Sequence, residues 1–292
     1  MSQIAKFQAD LDPNHKLFNY LRRSAPSWWH KILNYRLTAT AKSGVYVDIR
    51  KDNTINVYYQ GASLAKIEWH KGGVVATTHH KYLGIERCGK TVYYPCEEQL
   101  EILGQRECYL LRNAEASYTN KDGREELDAE KKCEKRLQGE VVCSSPGMYI
   151  DSEFAHRYQE DSRHTIRIDL VRVVDNTLQF VELKRIQDPR LLCKDVNVTP
   201  EIITQMEEYR RFLEANSESI LDYYRGLIEI KRSLGLLLSD IDVDRLKICT
   251  MPRLEIHNLY RPTLKHFEAR RRQRIERIES HLKAHNIDYC IK

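Results

Sequence analysis

An α/β fold in two parts is what the sequence predicts, with an α+β portion over residues 1–140 and a second portion over residues 141–292. Three observations carry that expectation. Residues 44–79 alternate between apolar and polar side chains, the period of half-buried strands. Residues 167–184 are two runs rich in Val, Ile, Leu and Phe that flank Asp175-Asn176, a pair suited to a tight turn with positive φ. Beyond Thr199, apolar residues recur at helical spacing.

The first 35 residues read as helical. Asp12-Pro13 is a plausible start, and Leu17, Leu21, Trp28, Trp29 and Ile32 supply an apolar set interleaved with Arg22, Arg23 and Lys31. Aromatics among basic residues suit either base stacking with phosphate contact or a helix pair that docks its tryptophans into a core, and the core reading is favoured. From Gly44, the alternating Val45, Val47 and Ile49, then Ile55, Val57 and Tyr59, then Leu64–Trp69 and Val74–Thr78, predict an antiparallel meander of about four strands. His79 and His80 are adjacent strand residues that point to opposite faces, so they make a poor ligand pair. Residues 96–140 are helix-prone and carry charges of both signs, the pattern of a solvated face. Cys143-Ser144-Ser145-Pro146-Gly147 reads as a loop and marks the domain boundary.

After the central hairpin, Thr199-Pro200 predicts a helix start with threonine as the cap and proline at the first helical position. Ile202, Met206, Tyr209 and Leu213 form its apolar face, and Gln205 and Tyr209, four apart, project to the same side. A second amphipathic helix is expected from Ser217 to Leu238. Short strands at 245–250 and 253–257 precede a long helix over residues 262–284, and 286–291 reads as a terminal strand. The long helix carries Lys265, Arg270, Arg271, Arg272, Arg274, Arg277 and Lys283 against Glu268, Glu276 and Glu279. Such a helix either lies along a phosphate backbone or is a surface helix whose arginines pair locally.

Composition is that of a soluble protein, 41% hydrophobic and 30% charged, and the net charge of +5 is too mild to argue for nucleic acid by itself. No apolar run of about 18 residues and no secretory pattern is present, so the sequence favours a cytoplasmic protein with neither a membrane span nor export. The eight cysteines show no CxxC pair and are read as reduced thiols.

The chemistry concentrates in the hairpin. With Asp175-Asn176 as a two-residue turn, Asp169 faces Glu182 and Arg167 faces Lys184. Glu182 and Lys184 share one face while Val181 and Leu183 take the other. Directly opposed Cβ atoms lie about 5 Å apart, and two facing carboxylates repel. A hard cation between them relieves the repulsion, and Mg²⁺ held by one or two carboxylates plus phosphate is common at phosphoryl-transfer sites.

The spacing Asp169-x12-Glu182-x-Lys184, with Glu153 before it and Gln205-x-x-x-Tyr209 after it, resembles the PD-(D/E)XK nuclease superfamily, whose helicase-associated branch carries that Gln-x-x-x-Tyr helix. The resemblance spans residues 148–212 and rests on five positions. Ile168 stands where the name motif has proline, as in many members. It implies that residues 141–292 form a restriction-endonuclease-like core, a mixed central sheet flanked by helices. By the same resemblance Asp169, Glu182 and the backbone carbonyl of Leu183 bind Mg²⁺ or Mn²⁺, and Lys184 orients or activates the attacking water. Glu153, expected on the preceding helix, binds a second metal or a metal water, with Asp151 as the nearby alternative. Gln205 contacts phosphate or supports the ligands, and Tyr209 packs against the site or hydrogen-bonds it. An iron–sulfur cluster, known among relatives of that branch, is not expected, because only Cys249 and Cys290 follow Cys193.

The expected function is therefore a metal-dependent nuclease acting on DNA, with RNA still open, in restriction, phage defence or repair. Lys265, Arg270, Arg271 and Arg274 are its expected nucleic-acid contacts, and residues 1–140 are expected to select substrate or partner. Two rivals are a non-catalytic nucleic-acid-binding module on a nuclease fold and a subunit of a larger defence or repair complex; a homo-oligomer is also open. Retention of Glu153, Asp169, Glu182 and Lys184 together favours the enzyme.

Overall fold

In the computed structural model, which describes residues 3–37, 44–59, 61–78, 92–94, 134–145, 147–193, 195, 198–237, 240–258 and 265–292, the chain is mixed α/β. It divides into two compact units, and neither is one continuous segment. One comprises Gln8–Ile150 with Asp222–Asp244; the other comprises Met1–Phe7, Asp151–Leu221 and Arg245–Lys292. The boundary expected near residue 140 differs from this division, and the sequence carries no sign that residues 222–244 join the first unit.

The first unit opens with helices α1 (Lys16–Ser24) and α2 (Ser27–Leu37). His15 rather than Asp12 caps α1, its ring nitrogen accepting from Leu17 N at 3.4 Å. Leu17, Phe18, Leu21, Trp28, Trp29 and Ile32 are all buried. The tryptophans thus serve the core, and burial removes the open ring face that base stacking needs. The alternating segment folds as β1 (Val45–Ile49), β2 (Ile55–Tyr59), β3 (Ala62–His70) and β4 (Gly73–Thr78), each antiparallel to the next, and β5 (Val92–Tyr94) adds a fifth strand. Helix α1 packs on β3, and α2 on β1. Helix α3 (Glu134–Ser144) absorbs the first two residues of the loop expected at 143–147 and packs on both β1 and β3. His79, His80 and residues 96–133 lie outside the described residues.

The second unit is built on a six-stranded mixed sheet, ordered β11-β10-β8-β7-β6 with β9 beside β8. Its strands are β6 (Tyr149–Arg157), β7 (Thr165–Val174), β8 (Thr177–Arg185), β9 (Lys247–Ile248), β10 (Arg253–His257) and β11 (Asp288–Ile291). The expected turn forms: Asp175 and Asn176 have φ of 48° and 55°, as a type I′ hairpin turn requires. Strand β10 runs parallel to β8, with Leu254 against Glu182 and Ile256 against Lys184. The N-terminal segment also belongs here. Ala5 N donates to Tyr158 O at 2.9 Å, and Phe7 N to Asn216 Oδ1 at 2.7 Å.

Helix α4 (Glu201–Ala215) starts one residue later than expected, with Pro200 as its cap and no capping side chain. It lays Phe212 beside Phe154, whose ring meets Phe180 edge-on at 5.4 Å. Together these rings seal α4 onto the face of β8 that carries Phe180, Glu182 and Lys184. Helix α5 (Ser217–Ser233) stops short of Leu238. Gly235 takes φ 70° there, its N–H bonding Arg232 O while Leu236 N bonds Lys231 O, a pair of bonds that ends a helix in a left-handed residue. Helix α6 (Lys265–Ala284) leads into β11. Among the described residues, no helix is long and apolar enough to cross a membrane.

Candidate functional site

The hairpin register sets the site. Ladder pairs run from Val174–Thr177 to Leu170–Val181, the register that a turn at Asp175-Asn176 dictates. Just past the last pair, Asp169 Oδ2 accepts from Leu183 N at 2.8 Å. A side-chain carboxylate thus takes a strand N–H, and Asp169 is held at Leu183, the residue next to Glu182, just past the last ladder pair.

Glu182 and Lys184 are both buried. Burial of either charge alone is costly, and mutual pairing offsets it. The Lys184 ammonium bonds Glu182 Oε1 and also donates to Leu183 O at 2.9 Å. Those two oxygens are among the metal donors that the sequence resemblance implies, and in this structure they converge on one cation supplied by the protein.

Helix α4 fixes the carboxylate from the other side. Gln205 Nε2 donates to Glu182 Oε1 at 2.9 Å and to the Tyr209 hydroxyl, and Tyr209 donates to Arg167 O. Burial is the main cause that pushes the Tyr209 hydroxyl well above the ordinary phenol range, with the charges of Glu182 and Asp169 adding to it. Tyr209 therefore remains an O–H donor at any ordinary pH. Its single proton goes to Arg167 O, so its oxygen must accept from Gln205. That sets the amide's orientation and leaves Gln205 Oε1 buried, with no hydrogen-bond partner among the described residues. The i, i+4 spacing of Gln205 and Tyr209 is what lets one helix face reach both Glu182 on β8 and the backbone of β7. His164 and Glu208, 3.1 Å apart, tie α4 to the start of β7 as well.

The remaining expected site residues behave differently. Glu153 lies on strand β6 rather than on a helix, and its φ of 53° kinks that strand. Asp151 is buried, with Oδ1 accepting from its neighbour Ser152 N at 2.9 Å. Among the described residues, no group of three or more His, Cys, Asp or Glu is gathered as a metal-binding cluster. The donors that do come together are carboxylate and carbonyl oxygens, the hard ligands that Mg²⁺ and Mn²⁺ take. The orphaned Gln205 Oε1 adds a buried acceptor suited to a cation or its bound water, so these residues fit such an ion.

On α6, Arg270 is exposed and Arg271 half-buried. Arg274 faces inward, donating to Ile186 O at 2.7 Å and Asp188 O at 2.8 Å in the turn that follows β8. Arg277 donates to Cys193 O at 3.4 Å, and Arg272 stands 3.9 Å from Glu268. The helix thus splits between arginines that clamp the turn and arginines that face solvent. The Lys265 side chain lies outside the described residues.

A second charged centre, which sequence reading missed, sits on the opposite face of the sheet. Glu255 on β10 is buried, bonded by Arg172 at 3.0 Å and Lys292 at 2.6 Å, with His257 at 3.9 Å. Burial opposes its ionisation. The neighbouring His257 ring, Lys292 and Arg172 outweigh burial and hold its pKa at about 2. The alternation of β10 could have hinted that Glu255 lies inside, but its cations come from β7 and residue 292, and no local signal joins them.

No family model, curated protein or solved structure matches this chain.

Proposed function

We propose that this protein is a metal-dependent nuclease that hydrolyses phosphodiester bonds in DNA, in restriction, phage defence or repair. One observation carries the reading: Asp169, Glu182, Lys184, Gln205 and Tyr209, separate in sequence, meet in one connected network at the end of the central hairpin. Packing of α4 on β8 brings Gln205 and Tyr209 to this face, and the hydrogen bonds from Gln205 to Glu182 and Tyr209 then tie the helix to the carboxylate.

Hydrolysis of a phosphodiester needs an attacking water in line with the P–O bond that breaks, and a counter-charge for the oxygens. Asp169, Glu182 and the Leu183 carbonyl are the residues that would hold Mg²⁺ or Mn²⁺. When bound, that ion supplies Lewis-acid polarisation of a phosphate oxygen and a more acidic water. Gln205 holds the Glu182 carboxylate at a set angle, and Tyr209 holds Gln205. Lys184 contributes an ammonium that can orient water and offset negative charge as it builds on the phosphate. Arg274 holds the turn after β8, while Arg270, Arg271 and Lys265 are the proposed backbone contacts of the substrate.

The second reading is a nucleic-acid-binding module without catalysis, alone or within a larger complex. It is favoured by the engagement of Lys184 with Glu182, which occupies one carboxylate oxygen with a cation of the protein's own. One experiment separates the two: the full chain incubated with plasmid, linear duplex, single-stranded DNA and RNA, each with Mg²⁺ or Mn²⁺. Cleavage that Glu182→Ala abolishes supports the enzyme. No cleavage of any substrate with either metal gives way to the binding module.

A further inference from the structure

We infer that Lys184 is an internal stand-in cation: its ammonium holds the metal donors together in the metal-free protein and must release them when a divalent ion enters. The inference rests on the metal-site reading given above and adds a competition within that site. Lys184 is among the largest fully buried side chains of the chain, and its partner Glu182 is buried with it. The ammonium engages one carboxylate oxygen and one backbone carbonyl, Glu182 Oε1 and Leu183 O, and these are the donors that Mg²⁺ or Mn²⁺ would use.

Charge explains why a stand-in is useful. Asp169 is tied to Leu183 N and stands close enough to Tyr209 for its charge, with that of Glu182, to act on the same hydroxyl. Two carboxylates in a poorly hydrated place repel strongly, because low effective permittivity magnifies their interaction. One ammonium offsets part of this, so the donor set stays assembled. A divalent ion offsets more, and the flexible four-carbon stem of lysine lets the ammonium give up its two oxygens without moving the backbone. Gln205 remains on Glu182 Oε1 in the metal-free protein, so the carboxylate does not depend on lysine alone for its orientation.

Removing the ammonium should therefore have two linked effects. Metal-free protein should become less stable, because Glu182 loses the ammonium that it is buried against. Affinity for Mn²⁺ should rise, because the ion no longer displaces anything.

The test is titration of full-length wild type, Lys184→Met and Glu182→Ala with Mn²⁺ by calorimetry, together with thermal unfolding of each with and without saturating Mn²⁺. The expected result is Mn²⁺ binding about tenfold tighter in Lys184→Met than in wild type. Its metal-free midpoint should be lowered and Mn²⁺ should restore it, as linkage requires of an ion that binds only the folded state. A remote loss of positive charge would tighten binding without lowering the metal-free midpoint, and that outcome overturns the stand-in role. If wild type binds one Mn²⁺, Glu182→Ala does not, and Lys184→Met binds no more tightly than wild type, the stand-in role fails while the metal site stands. If no variant takes up Mn²⁺, both fall. Lys184→Gln, which keeps a hydrogen-bonding group beside Glu182, gives the same readout if the methionine variant does not fold.

Discussion

Each unit of this protein buries a lysine against a carboxylate, and the two pairs teach opposite things. In the first unit, Lys231 bonds Asp48 Oδ1 at 3.1 Å, Val47 O at 3.3 Å and Ile150 O. Arg50 stands 3.6 Å from the other Asp48 oxygen, so one carboxylate is shared by two cations. In the second unit, Lys184 meets Glu182, and Asp169 is bonded to the N–H of Leu183 between them, so two carboxylates stand in the neighbourhood of one ammonium. Burial is nearly equal, yet the residual charge has opposite sign. The cation-rich centre is a fastening between strand, helix and loop, while the acid-rich centre still favours positive charge. Glu255, with Arg172, Lys292 and His257 around it, belongs with the fastenings.

The strongest way to break this contrast is at Lys231. Lys231→Met leaves buried Asp48 with fewer partners and should cost about 3–5 kcal/mol, the usual penalty for breaking a buried pair. Chemical denaturation should show the loss, and Mn²⁺ should not recover it. Recovery by Mn²⁺ would mean that the two centres do not differ in kind.

Cleavage probes the acid-rich centre. Lys184→Ala should lower cleavage by about two orders of magnitude or more, comparable to losing one transition-state charge stabiliser, and should leave nucleic-acid binding intact. Glu182→Ala should lose cleavage and Mn²⁺ binding together, because it deletes a ligand. Cleavage by Lys184→Ala at the parent rate would place this lysine with the structural fastenings.

Acid unfolding sharpens the third centre. The folded pKa of Glu255, about 2, lies below the ordinary 4.5, so its contribution to stability is fully present above pH 4.5. It is lost progressively as pH falls from there towards 2, since the unfolded chain binds the proton first. Glu255→Gln should lower stability at neutral pH and flatten this acid limb in denaturation curves measured from pH 6 to pH 2. An unchanged acid limb would show that other carboxylates govern it.

The smallest expected effects lie on α6. Arg270→Ala should reduce the slope of log affinity against log salt by about 0.7–0.9, one counterion's share, without changing stability. Arg274→Ala should instead loosen the turn after β8, because its guanidinium serves Ile186 O and Asp188 O. Equal salt effects from both variants would erase the division drawn along this helix.

Sequence alone determined the local and periodic features. A two-residue turn at Asp175-Asn176 leaves one register for the strands beside it, because a slip by one residue would turn every side chain to the wrong face. The same arithmetic put Glu182 and Lys184 on one face and Gln205 beside Tyr209. Tertiary structure decided what those side chains meet: Lys184 against Glu182 and Leu183 O, Tyr209 against Arg167 O, and Arg274 turned inward to the backbone. It also put Glu153 at a positive φ on strand β6, bonded Ala5 to Tyr158 just past β6, and gathered Asp48, Arg50 and Lys231 across 183 positions of chain. Periodicity is a property of neighbours in the chain and survives in the sequence. The partner of a buried charge is chosen by packing among distant segments, where desolvation makes pairing necessary but no local pattern says with whom.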